Sequence, residues 1–210
     1  IELGGEDAKI TYLKNDMEQR MNGSCAGGTG AFVDQIASLL DTDASGLNEL
    51  AKGYDTIYPI ASRCGVFAKT DIQPLINEGV RKENIAVSVF QAVVNQTITG
   101  LACGKKITGK VAFLGGPLFF LSELRKRFIE TLKLTPENII FPDDSQLFVA
   151  QGACILSKEN IREFSFEKLK NKIAVLENQG LPETMSLPPL FKDENELKEF
   201  MERHDKETVN

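Results

Sequence analysis

Residues 21–32 read MNGSCAGGTGAF and place a cysteine two residues before a run of glycine and threonine. The run leads into a segment in which Phe32, Ile36 and Leu40 recur at the spacing of one helical face. The first N–H groups of a helix are free to bind an oxyanion, and glycine lets a phosphate approach the backbone closely. A phosphate loop needs no sulfur, however, so Cys25 indicates a second kind of site, a metal centre.

Strand and helix patterns alternate on both sides of this stretch. Residues 1–14 predict two short strands joined by a turn at GGEDA, and residues 110–116, KVAFLGG, predict a buried strand that ends in a glycine turn. The strongest helical pattern covers residues 82–103, where Ile85, Val89 and Val93 follow the 3.6-residue period. Strands that alternate with helices predict an α/β fold.

The character of the chain changes near residue 160. We predict that residues 1–160 form one lobe and that residues 161–210, which contain a proline-rich stretch and a charged helix, form a linker to a further domain. The sequence begins at Ile1 inside a strand pattern, which we interpret as a fragment of a longer chain.

Composition argues against several classes of function. A formal net charge of −6 and a pI near 5.0 argue against nucleic acid or an anionic membrane as the main partner. No apolar run approaches the roughly 20 residues that span a bilayer. No signal-peptide pattern is present either, so we expect a cytoplasmic protein. The single histidine, His204, lies in the charged tail, which excludes histidine-based catalysis.

The four cysteines divide into two pairs. They are too few and too dispersed for a disulfide scaffold, and no CxxC pair indicates a local zinc site. Cys103 and Cys154 lie in apolar helical segments, and we expect both to be small buried side chains. Cys25 and Cys64 lie in loops ahead of helical patterns, and from the pattern alone they are either metal ligands or two reduced thiols without a metal.

Three glycine turns recur beside a strand end or a helix start: Gly4-Gly5-Glu6-Asp7, Gly27-Gly28-Thr29-Gly30 and Gly115-Gly116-Pro117. Together they resemble the nucleotide cleft of the actin-like, ribonuclease H-like fold shared by sugar kinases, chaperone ATPases and actin. The resemblance implies one lobe of that fold, with a mixed sheet flanked by helices. It assigns the phosphates and Mg²⁺ of ATP to Gly4, Gly5 and Asp7, the lining of the same cleft to Gly28, Thr29 and Gly30, and the adenosine to Gly115, Gly116 and Pro117.

Two longer motifs narrow the family. NGSCAGGTGAFVDQ, residues 22–35, and ASRCGVFAKTDIQ, residues 61–73, resemble the ATP-dependent activators of 2-hydroxyacyl-CoA dehydratases. These activators group with the ATPase subunits of benzoyl-CoA reductase as the BadF/BadG/BcrA/BcrD-type ATPases. The resemblance covers about residues 1–157, and the tail is similar to that of long fused members of the family.

What this resemblance implies is an electron carrier. It implies that Cys25 and Cys64 ligate a [4Fe-4S] cluster, with two more cysteines from a second copy or a second half of a longer chain. It also implies that ATP with Mg²⁺ drives a low-potential electron from the cluster into a dehydratase or CoA-ester reductase that carries its own Fe–S centre.

The chain departs from the activator pattern at the first turn. The family motif D-x-G-G-Q-D-x-K corresponds to ELGGEDAK, residues 2–9. Glu2 is one methylene longer than the aspartate at a site where Mg²⁺ geometry is tight, and Glu6 adds negative charge. The N-terminal phosphate loop of the family is absent, so we expect no ATPase activity from this chain alone.

Two other functions are compatible with the same residues. One is a kinase of the same fold, without a cluster, that phosphorylates a sugar or a small acid, for which Asp71 is the candidate catalytic carboxylate. The other is a non-catalytic docking module inside a fused polypeptide.

Overall fold

The computed structural model describes residues 1–13, 16–23, 27–61, 65–159, 165–179 and 188–206, which belong to two units, Ile1–Glu159 and Asn160–Asn210. The strands, all in the first unit, are β1 (Glu2–Leu3), β2 (Ala8–Tyr12), β3 (Glu18–Met21), β4 (Val111–Ala112) and β5 (Ile139–Ile140). The α-helices of the first unit are α1 (Gly30–Leu39), α2 (Ala44–Ala51), α3 (Gly65–Asn77), α4 (Lys82–Asn95), α5 (Gly116–Phe120), α6 (Ser122–Leu132) and α7 (Phe148–Glu159). A π-helix covers Gln96–Leu101, and 3₁₀ turns cover Pro136–Asn138 and Ser145–Leu147. The second unit contains α8 (Phe166–Gln179) and α9 (Glu194–Asp205).

A mixed sheet organises the first unit and confirms the α/β prediction. β1, β2 and β3 pair antiparallel in that order, while β4 and β5 pair parallel. A parallel bridge between Glu2 and Leu114 joins the two sets, and the Leu3 N–H donates to the Leu114 carbonyl at 3.1 Å. The strands therefore follow the order β3-β2-β1-β4-β5, and β2 alone among them runs against the rest.

Helix α4 lies at the centre of the core. It packs against α1, α2, α3 and α6, and its buried residues lie on all sides rather than on the single apolar face that the sequence predicted. Two buried polar side chains on it hold the segment that leads out of α2. The Asn84 Oδ1 accepts hydrogen bonds from the backbone N–H groups of Asp55 and Thr56, and the Ser88 Oγ accepts one from Tyr58. These bonds satisfy groups that would otherwise be costly to bury.

The segment after α4 departs from the predicted helix, because a π-helix follows Asn95 instead of a continued α-helix. π-helices are rare and often lie at functional sites. Arg20, on β3, donates hydrogen bonds from its guanidinium to the carbonyls of Leu101 and Ala102, where the π-helix ends. Glu18 in turn binds Lys105 and Arg20, and hydrogen bonds from Lys105 and then Arg20 hold the pKa of the Glu18 carboxyl below its usual value.

The expectation that Cys103 and Cys154 are buried is wrong, since both are exposed. Cys103 lies beyond the π-helix with a positive φ of 47°, where the chain turns at the surface. Cys154 lies on α7, of which no residue is buried.

The helices of the second unit are surface helices. Asp193 caps α9, because its carboxylate accepts hydrogen bonds from the N–H groups of Asn195 and Glu196. In the described ranges of both units, no helix has the length and hydropathy needed to cross a bilayer.

Candidate functional site

The turn between β1 and β2 is a tight backbone loop. The Gly4 N–H donates to the Asp7 carbonyl at 2.7 Å, and this bond closes the turn. A Cβ added at Gly5 would meet no atom of the described residues within 4 Å. The Asp7 side chain is 62% exposed, whereas Glu2 is largely buried and its carboxylate lies 3.3 Å from the Lys9 ammonium. Asp7 is therefore more accessible than Glu2, and Glu6 in the same turn is exposed as well.

Helix α1 begins directly against that turn. The Gly30 N–H donates to the Gly4 carbonyl at 3.0 Å, and the Ala31 N–H donates to the Gly5 carbonyl at 2.7 Å. Two of the first N–H groups of α1 thus have partners within the chain. These two groups are not the free oxyanion donors that a helix start ordinarily offers. Thr29, which precedes the helix, is buried.

The third glycine turn meets the other two at Gly30. A Cβ on Gly30 would lie 3.3 Å from the Gly4 carbonyl oxygen, from the Gly5 Cα and from the Pro117 Cγ. The three turns that the sequence placed in one cleft are therefore brought together in the structure.

Gly115 holds the third turn against β1. Its φ is +90°, and a Cβ there would overlap the Leu3 carbonyl oxygen. Its N–H donates to the Ser145 carbonyl at 3.1 Å. At Gly116, by contrast, a Cβ would meet only the Phe120 ring, at 4.0 Å. Gly115 is required by packing, and Gly116 is open.

Gly28 rests on a residue that the sequence analysis did not single out. Its φ is +80°, and a Cβ on it would lie 3.0 Å from the Gln96 Cγ, where the π-helix begins. The Gln96 Oε1 is buried and has no hydrogen-bond partner. The π-helix thus supports the Gly27-Gly28 turn, and no periodic pattern in the sequence signals this contact.

Asn22 is a second residue that sequence reasoning missed. Its Oδ1 accepts a hydrogen bond from the Ala8 N–H at 2.8 Å, and its Nδ2 donates to the Glu6 carbonyl at 2.9 Å. Together with the bonds from Gly30 and Ala31, these contacts tie the 4–8 segment to both ends of the 23–29 stretch. An asparagine before a glycine was the only sequence signal, and it ordinarily marks nothing more than a turn.

Cys25 and Cys64, the predicted cluster ligands, lie outside the described residues. The helices that follow them, α1 and α3, pack against each other: a Cβ on Gly65 would lie 3.3 Å from the Gln35 Oε1 and 3.8 Å from the Phe32 ring. Within the described ranges, no group of three or more His, Cys, Asp or Glu side chains could hold a metal ion.

Asp71, the carboxylate that a kinase would use, lies on α3. Its Oδ2 accepts a hydrogen bond from the Ala61 N–H at 2.7 Å. This bond fixes the segment that precedes residues 62–64, so one oxygen of the carboxylate already has a structural partner.

Comparison with known proteins gives a family for most of the chain. Residues 1–157 match the model of the BadF/BadG/BcrA/BcrD ATPase family. The chain is 30% identical over 176 residues to the 2-hydroxyisocaproyl-CoA dehydratase activator of Clostridioides difficile, a match that covers 81% of this chain and 63% of that protein. It is 33% identical over 118 residues to the (R)-2-hydroxyglutaryl-CoA dehydratase activating ATPase of Acidaminococcus fermentans, over 55% of this chain and 45% of that protein.

Two solved structures are similar in fold. The crystal structure of component A of the A. fermentans (R)-2-hydroxyglutaryl-CoA dehydratase matches with a TM-score of 0.65 at 30% identity, over 72% of this chain and 57% of that one. The activator of the 2-hydroxyisocaproyl-CoA dehydratase from Clostridium difficile, with bound ADPNP, matches with a TM-score of 0.62 at 25% identity, over 78% of this chain and 63% of that one. These matches confirm the actin-like fold. The chain spans between 45% and 63% of the length of these relatives.

Proposed function

Because the chain belongs to the BadF/BadG/BcrA/BcrD ATPase family, we propose that it forms part of an ATP-dependent activator of a 2-hydroxyacyl-CoA dehydratase or a related CoA-ester reductase. In this proposal the chain is the C-terminal lobe of the ATP site, and further phosphate contacts come from outside it. The activator passes an electron to a partner protein or domain that carries its own Fe–S centre.

The observation that carries the proposal is the meeting of three glycine turns at Gly30. Gly4, Gly30 and Gly115 face neighbouring backbone, so packing accounts for them. Among the described residues, no atom lies within 4 Å of a Cβ on Gly5, and the Phe120 ring lies 4.0 Å from a Cβ on Gly116, so packing against this part of the chain gives no reason for a glycine at either position. A ligand that approaches the backbone closely supplies that reason, as a phosphate chain does.

Within this site, each group of described residues has a separate role in the proposal. The backbone at Gly5 receives the phosphates, and the exposed Asp7 carboxylate holds hydrated Mg²⁺, an ion that prefers oxygen ligands and keeps several waters. Glu2 is paired with Lys9, which reduces its negative charge beside the phosphates. Gly28, Thr29 and Gly30 set the start of α1 in the same cleft, and Gly115, Gly116 and Pro117 form the side that meets adenosine.

Cys25 and Cys64 are the residues that would hold the [4Fe-4S] cluster in this proposal, since such clusters take thiolate ligands. The packing of α1 on α3 supports it, because it joins the two helices that follow the cysteines. When bound, the cluster supplies an electron at low potential. Two thiolates leave ligand positions for a second copy of the chain or a second half of a longer one.

Calorimetric titration of the full-length protein, which carries this chain together with the remaining phosphate contacts, with ATP·Mg²⁺ tests the proposal. We expect the wild-type chain to bind and Gly5→Ala to bind about tenfold or more weakly, a loss of about 1.4 kcal/mol or more, because a methyl group would occupy the space beside the phosphates. Gly152→Ala is the matched control. A Cβ at Gly152 also meets no atom of the described residues within 4 Å, but Gly152 lies on α7 and not in any of the three glycine turns.

Binding by the wild-type chain that Gly5→Ala leaves unchanged would contradict the place given to the phosphates. The absence of any binding by the full-length wild-type protein would contradict the ATP site itself. The unfolding midpoint of Gly5→Ala should not fall below that of wild type, which separates a lost contact from a lost fold, while Gly152→Ala should match or exceed wild type because alanine is favoured over glycine inside a helix.

A further inference from the structure

The open side of the Gly116 turn is bounded by one aromatic ring. Phe120 ends α5, one helical turn after Gly116, and its Cδ2 lies 4.0 Å from a Cβ placed on Gly116. The Phe120 side chain is 69% exposed, although α5 also carries the fully buried Leu118. A large apolar ring thus faces solvent directly beside the turn.

The Phe120 ring is exposed to solvent, but aromatic side chains and an arginine pack around the backbone that carries it. The Phe119 ring meets it edge-on with centroids 4.8 Å apart, and Phe119 itself lies 6.0 Å from Phe141. The Arg125 guanidinium lies 3.8 Å from the Phe141 ring centroid and donates to the carbonyls of Leu118 and Phe119. The backbone around Phe120 is therefore held by charge-assisted hydrogen bonds and by aromatic packing.

We propose that Phe120 is the side chain on which the purine base of the bound nucleotide stacks. An exposed, preorganised aromatic ring offers a face to a flat heterocycle, and such stacking favours the base without any hydrogen bond to it. The ring adjoins Gly116, and the Pro117 Cγ on the same helix lies 3.3 Å from the position that a Cβ on Gly30 would take, beside the Gly4-Gly5 turn. One short helix thus connects the place of the base with that of the phosphates.

This inference rests on the proposed ATP site and adds a residue that discriminates between nucleotide and bare polyphosphate. If Phe120 contacts only the base, its removal weakens every ligand that carries a purine and spares a ligand that carries none. A general weakening of the fold would instead affect both ligands alike.

The test compares ATP·Mg²⁺ with inorganic tripolyphosphate·Mg²⁺ by calorimetric titration of the full chain. We expect Phe120→Ala to weaken ATP binding by about 5- to 150-fold, the range of base stacking on an aromatic residue, and to leave tripolyphosphate binding unchanged. Phe120→Tyr keeps the ring and should restore ATP affinity close to wild type. Phe67→Ala is the matched control, because Phe67 is 64% exposed and lies on α3, which packs on α1 and α4.

Each other outcome overturns the inference. Equal ATP affinity of Phe120→Ala and wild type would mean that the ring faces something other than the base, such as a protein partner. An equal loss for ATP and tripolyphosphate would mean that Phe120 supports the turn and not the base. A full-length wild-type protein that binds neither ligand would overturn the proposed function, and this inference with it.

Discussion

At Gly115 the backbone passes so close to β1 that no side chain fits. The residue has a φ of +90°, and a Cβ there would overlap the Leu3 carbonyl oxygen. Its neighbour Gly116 would place a Cβ 4.0 Å from the Phe120 ring, an ordinary contact distance. Adjacent glycines with the same sequence signature therefore differ physically: packing requires Gly115, whereas the proposed site places Gly116 beside the ligand.

Gly115→Ala should accordingly destabilise the fold, while Gly116→Ala should leave its stability close to that of wild type. We expect Gly115→Ala to lower the free energy of unfolding by about 2–4 kcal/mol, because it combines an unfavourable left-handed conformation with a backbone clash. Urea unfolding at constant m-value measures the difference. Coinciding midpoints for the two variants would contradict the separate roles.

At the scale of elements, the periodic patterns predicted those helices and strands that form by burying an apolar face. The segment that became α1 follows the apolar period of Phe32, Ile36 and Leu40 identified in the sequence, and all three side chains are buried. Strand β3 was not predicted, because EQRM is polar and lacks the apolar alternation that signals a half-buried strand. The π-helix after Asn95 was not predicted either, since its six residues follow the same apolar face as α4.

Asn22 links the segment between β1 and β2 to the chain that follows β3, and this link depends on how the elements pack rather than on a sequence motif. Asn22→Ala should lower the free energy of unfolding by about 1–3 kcal/mol, since it removes the partner of the Ala8 N–H and of the Glu6 carbonyl. Asn22→Asp keeps an acceptor for Ala8 and loses only the donor to Glu6, so it should fall between Ala and wild type. Amide hydrogen exchange at Ala8 provides the readout, and equal exchange rates in all three proteins would contradict the role of Asn22.

At the scale of the whole molecule, the sequence analysis predicted that residues distant along the chain lie close together. The turns at residues 4–7, 27–30 and 115–117 were grouped by resemblance, and the structure unites them at Gly30. Their division into packed and open glycines could not be predicted, because it depends on which backbone lies opposite each turn. The same limit holds for Asp71, whose bond to Ala61 follows from the tertiary path of the chain.

The proposed cluster would bring together residues of two copies of the chain. Anaerobic reconstitution with iron and sulfide should give a broad blue-visible absorption and a dimer, with about two iron atoms per chain, because two thiolates from each copy share one four-iron cluster. Cys25→Ser and Cys64→Ser should each abolish the absorption. Cys103→Ser and Cys154→Ser are the matched controls, as both residues are exposed and free. A monomer with four iron atoms would contradict a shared site, because one chain would then supply every ligand by itself, and a cluster that survives Cys25→Ser would contradict the role given to Cys25.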